Sequence, residues 1–181
     1  MRRITLGTLV LVTIPLLALT STPAHAQEDR ATVVANALRA APASITDHAA
    51  VLDWEGNTLR EGSNGWTCFP DPPNMTDAPM CLDETWVAWA DAWQNQRPVD
   101  IDRAGIAYML EGDAGASNVD PYAEGPTADN AWVVTGSHLM LIVPDPAALD
   151  GLPTDPENGG PWVMWQGTPY AHVMIPVGIR R

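Results

Sequence analysis

Two apolar runs towards the C-terminal end, GSHLMLIV at 136–143 and YAHVMIPV at 170–177, read as β-strands and carry the same triplet, His-x-Met. Strand side chains alternate between faces, so His138 and Met140 share one face and His172 and Met174 share one face. Shorter runs of strand character lie at 49–54, 58–61, 66–69, 105–110, 131–134 and 162–165, separated by Gly-, Asn- and Pro-rich turns. In 105–110 the alternation groups Ile106, Tyr108 and Leu110 on one side and Met109 on the other. Each His-x-Met strand follows a shorter strand across a turn. The pattern therefore predicts two C-terminal hairpins with a His-x-Met strand as the second arm of each.

Helical spacing appears twice. Val33, Val34, Ala37, Leu38 and Ala41 mark a helix over 28–41, with Glu28 and Asp29 in its first turn and Pro42 as its stop. Asp83 is an N-cap for a second helix reaching about Gln94, in which Trp86, Trp89, Ala90 and Trp93 form one stripe. Such a stripe reads as a core face; a planar platform for a sugar is the other reading. Two stretches have no such pattern. The polar, Gly/Pro-rich segment 111–127 is a long loop, with Ser117, Asn118 and Tyr122 as its notable polar groups, and 150–161 is another. Together these elements predict an α+β fold, a mainly antiparallel sheet of several short strands with two helices.

Composition narrows the setting. Arg2 and Arg3, an apolar stretch over 4–19 and Ala24-His25-Ala26 have the form of an export signal. The expectation is a leader over 1–26 and one domain over 27–181, placed in the periplasm or outside the cell, with no membrane span in the mature chain. The chain has 22 acidic against nine basic residues and a formal net charge of −13. Without basic clusters it has little to offer phosphates, so no nucleic-acid partner is expected. Cys68 and Cys81 are the two cysteines, and an oxidising compartment predicts a disulfide between them. That bridge would staple the Pro-rich segment 70–79.

The blocks Asn64-Gly65-Trp66-Thr67-Cys68, Pro79-Met80-Cys81-Leu82-Asp83 and Thr168-Pro169-Tyr170-Ala171-His172 resemble those of an uncharacterised family of small secreted bacterial proteins. The resemblance implies no activity, cofactor or ligand.

Candidate chemistry centres on the two triplets. No Gly-rich phosphate loop, G-x-S-x-G, C-x-x-C or H-E-x-x-H motif is present. Imidazole and thioether together suit a soft metal, copper(I) above all, which makes His138, Met140, His172 and Met174 the metal-ligand set if the strands converge. Ordinary packing accounts for the same residues, since methionine fills cores. As an enzyme, a small hydrolase-like one, the protein would use His138 or His172 as general base, with Tyr170, Ser137, Asp145 and Glu111 as helpers and Tyr170 and Ser137 as the pocket residues. A third class, beside the metal-ion and enzyme readings, is a non-catalytic module binding a small molecule, apolar or a sugar, on a tryptophan-lined surface drawn from Trp54, Trp66, Trp132, Trp162 and Trp165.

Overall fold

The computed structural model describes residues 24–178. The expected leader lies outside them except for its last three residues, which begin the first helix. The elements in chain order are α1 (Ala24–Ala37), α2 (Ala43–Thr46), β1 (Ala50–Leu52), β2 (Thr58–Arg60), β3 (Trp66–Phe69), β4 (Met80–Asp83), α3 (Glu84–Gln94), β5 (Gly105–Met109), β6 (Ala116–Ser117), β7 (Trp132–Val133), β8 (His138–Ile142), β9 (Trp162–Met164) and β10 (His172–Pro176), with 3-10 turns at Leu38–Ala40 and Pro146–Leu149. Eight strands form one open sheet in the order β2-β1-β3-β4-β5-β8-β10-β9, and β6 pairs with β7 in a separate ribbon. Neighbours are antiparallel except β1 and β3, which run parallel. The architecture is α+β on a mixed sheet. No helix among the described residues is long and apolar enough to cross a membrane.

Local chemistry explains how the layers assemble. Asp83 ends β4 and caps α3: one carboxylate oxygen accepts from the Trp86 N–H at 2.8 Å and the other from the Ile106 N–H of β5 at 2.6 Å. This double role lays α3 across the β4–β5 face. The approach is close enough that a Cβ on Gly105 would meet the Thr85 Cβ at 2.9 Å. The small residues Gly105 and Ala107 therefore look inward with Met109. Ile106 and Tyr108 share the other face, the grouping expected from the alternation, and Ile106 is left 41% exposed there. Trp86 and Trp89 are buried on the sheet, as the helical stripe predicts for a core face.

The opposite face is covered at one end by α1 and the turn after it, where Ala37, Ala40 and Ala41 pack on Val51 and the half-cystines. Small residues bring this backbone close to the sheet. Cys68 and Cys81 face each other across β3 and β4 and form a disulfide. The strand β4 escapes sequence reading because the three residues between Pro79 and the helix cap Asp83 are too few to show alternation.

The first of the two expected hairpins does not form. β7 pairs with β6, whereas β8 lies between β5 and β10. Thr135, in the turn before β8, exchanges hydrogen bonds with Asp113: its N–H donates to the carboxylate at 2.8 Å and its carbonyl accepts from the Asp113 N–H at 3.0 Å. Those bonds direct β7 away, and five-residue β5 takes the edge of β8 that β7 would have used. The second hairpin, β9–β10, is present with Met164 opposite His172.

Candidate functional site

Register decides where the two triplets meet. Met140 stands directly opposite Met174, His138 opposite Pro176, and Val173 opposite Leu141. Opposed residues of an antiparallel pair share a face, so all four side chains lie on the α3 side. The histidines occupy the far ends of a diagonal. Four residues of strand separate them, about 13 Å along the strands. A metal site draws its ligands to about 2 Å from one ion, so the expected set of His138, Met140, His172 and Met174 does not close on a single centre. Among the described residues no three His, Cys, Asp or Glu side chains gather as a metal centre either.

What the register builds instead is a cavity of about 270 Å³ between the sheet and α3. All six methionines among the described residues line it, with five of the eight tryptophans. Its floor is the sheet face carrying Met80, Met109, Met140, Met174 and Met164. Trp86, Trp89 and Trp93 of α3 form one wall. The roof comes from two loops: the stapled segment with Pro72, Met75 and Ala78, and the segment with Asp120, Pro121 and Glu124. The second loop is anchored by buried groups. Ser117 donates to the Asn130 carbonyl at 2.7 Å and accepts from the Asp120 N–H at 2.8 Å, and the Trp162 indole donates to the Asn118 side chain at 3.0 Å. The Trp93 indole reaches the Pro121 carbonyl at 3.1 Å. Trp165 turns its ring inward from a left-handed backbone conformation (φ 57°), uncommon for a bulky residue, and its indole N–H donates to the Ser117 carbonyl at 2.7 Å.

Both imidazoles face this cavity, and both are held alike. His138 Nδ1 lies 2.7 Å from the Gly136 carbonyl, and His172 Nδ1 lies 3.0 Å from that of Tyr170, in each case two residues back. A carbonyl only accepts, so Nδ1 carries the hydrogen and Nε2 keeps its lone pair. Burial holds His138 below the usual histidine range, against the opposing pull of Asp113, and pushes His172 down to about 4. Both rings are neutral near pH 7. His172 sits edge-to-face with Trp86, Trp89 and Trp165, the last at 4.8 Å between ring centres.

The two ends of the cavity differ. Around His172 the surroundings are aromatic. At the His138 end, Nε2 is fully buried without a hydrogen-bond partner and lies 4.0 Å from Oδ2 of Asp113. The other Asp113 oxygen accepts from the Gly115 and Thr135 N–H groups at 3.0 and 2.8 Å. Burial pushes the Asp113 carboxyl up, opposed by His138 and these bonds.

Compared with family models, with curated proteins and with solved structures, the chain matches none.

The other candidates fall elsewhere. Ser137 is not in the cavity wall; its hydroxyl donates to the Leu110 carbonyl. The Tyr170 hydroxyl donates to the Arg97 carbonyl at 3.0 Å, outside the wall, and the residue acts on the site through its own carbonyl. Asp145 caps the Pro146–Leu149 turn, and Glu111 pairs with Arg39. The helpers expected for a histidine base therefore do not assemble around either ring. Of the tryptophan-surface set, Trp132 and Trp165 line the cavity, and Trp54, Trp66 and Trp162 do not.

Asp113 was missed by sequence reading. Its signal is the glycine pair around it. Gly112 and Gly115 both take positive φ, and a Cβ on Gly115 would fall 2.1 Å from the Trp132 indole nitrogen. Two obligatory glycines around one carboxylate mark a turn built to present it.

Proposed function

We propose that this is an exported binding protein for a small, largely apolar molecule of about ten non-hydrogen atoms, held between the sheet and α3. The observation that carries the reading is the gathering of all six methionines among the described residues around one cavity, together with five tryptophans. Methionine adapts its shape and has a polarizable sulfur, which suits walls that mould to a guest. Indole rings give flat contact at small entropic cost. The leader-like segment 1–26 and the disulfide support export into an oxidising setting.

Toluene and indole serve as probes, followed by tryptophan fluorescence and by calorimetry. Saturable one-to-one binding supports the reading. Ala90→Phe, on the cavity wall of α3, should abolish it while leaving the melting temperature within a few degrees. Equal binding by Ala90→Phe would place the guest elsewhere. Copper(I) is the second candidate occupant, favoured by the Met140–Met174 pairing, since thioethers prefer the softer ion. A copper(I) competition titration on wild type and a Met140→Leu, Met174→Leu double variant separates the two: loss of tight binding in the variant favours copper, and none in wild type removes it.

A further inference from the structure

The polar end of the cavity constrains the guest further, on the footing of the reading just given. Asp113 is a mostly buried carboxylate, 12% exposed at the side chain, and its ion-pair-range neighbour is His138. Among the described residues no arginine stands in the cavity wall, and the chain has no lysine. His138 Nε2 faces Oδ2 of Asp113 across 4.0 Å, too far for a direct hydrogen bond. Both atoms are acceptors once Nδ1 holds the imidazole hydrogen. Two acceptors facing each other in an apolar cavity call for a donor between them, and a carboxylate without a basic partner calls for positive charge. A nitrogen placed about 2.8 Å from each, the length of a charge-assisted hydrogen bond, closes the gap. The remaining charged groups in the wall, Asp120 and Glu124 on the roof loop, are acidic too. An anion entering would meet only like charge.

We propose that the guest is a small organic cation, a primary amine on an aromatic or alkyl body. Its ammonium group donates to Asp113 Oδ2 and His138 Nε2, and its body lies among the methionines and tryptophans. The thioethers near the head add polarizable contact, and the indole faces favour positive charge.

The test compares three molecules of nearly one shape: 2-phenylethylamine, 2-phenylethanol and phenylacetate, titrated calorimetrically into the full mature protein near neutral pH. Binding of the amine at least tenfold tighter than of the alcohol, with phenylacetate weakest, is expected. Asp113→Asn keeps an oxygen for the Gly115 and Thr135 N–H groups; it should cost the amine at least tenfold and change the alcohol by less than about threefold. The wild-type comparison stands even if that variant fails to fold. Alcohol binding as tight as amine binding overturns the cation assignment and leaves the apolar-guest reading intact. Equal loss of both molecules in Asp113→Asn overturns it as well, because the residue would then serve only the fold. Failure of all three to bind overturns the assignment together with the reading on which it rests.

Discussion

Acid should destabilise this protein through His172, and the size of the effect follows from where the ring sits. The residue is 2% exposed, enclosed by the rings of Trp86, Trp89 and Trp165, and has no carboxylate beside it. Protonation would bury a charge there. Burial accordingly holds its pKa at about 4, against 6.5 for a free imidazole; the Tyr170 carbonyl works the other way, and His138 adds a little to the lowering. The unfolded chain takes up its proton near 6.5, so between those two values it binds more protons than the folded protein does. Stability is thus full above the unfolded pKa and is lost as pH falls towards about 4, below which the difference levels off. The whole gap is worth about 3 kcal/mol, and about 2.5 kcal/mol of it falls between about pH 7.5 and about pH 4.5. His172→Phe keeps a ring among the indoles and removes the titration. Urea unfolding of both proteins at those two pH values gives the answer by difference, because His138 and Asp113 titrate in both. Wild type should lose about 2.5 kcal/mol more than the variant on acidification. Equal losses would refute the reasoning, since a ring already charged or solvated in the folded state has no such gap.

Other outcomes follow from the packing. Trp89→Ala removes a ring in contact with Trp86, Trp93, Trp165, Tyr170 and His172 and should cost about 4 kcal/mol in urea unfolding; an unchanged midpoint would mean the indole is dispensable to the core. Asp83→Ala strips the acceptor from two N–H groups at once and should cost about 3 kcal/mol, against about 1 kcal/mol if Asp83 were a helix cap alone. Reducing the Cys68–Cys81 bridge, which spans 13 residues, should cost about 3 kcal/mol and expose the 70–79 roof loop to protease; identical unfolding with and without reductant would contradict this. The intact mass of the exported protein should match a chain starting at Gln27 and lighter by two hydrogens than the dithiol.

The parts legible in the sequence were those with a local period. The α3 stripe, its Asp83 cap, the β9–β10 hairpin and the shared face of each His-x-Met pair all come from spacing along one element. Long-range partners were not legible. Nothing near β8 says that its edge goes to β5 rather than β7, because the deciding bonds run from Thr135 to Asp113, across 22 residues. The cavity was hidden for the same reason: its six methionines come from six separate segments, and only the sheet register brings them together. The diagonal offset of His138 and His172 is likewise a property of β8–β10 pairing, invisible in either strand alone. Asp113 lay inside a loop read as polar spacer, and only the flanking glycines hinted at it.

The central claim, that one cavity between sheet and α3 takes a guest, can be read on the methionines themselves. All six among the described residues line it, and the expected mature chain lacks Met1, so a methyl-labelled methionine spectrum reports on the cavity alone. Titration with 2-phenylethylamine, or with toluene if the cation assignment fails, should shift several of the six methyl signals along one saturable curve, with Met109 and Met140, beside His138, among them. Ala90→Phe should suppress that response. Signals that stay in place at saturating probe, or that drift linearly without saturation, would contradict a binding cavity.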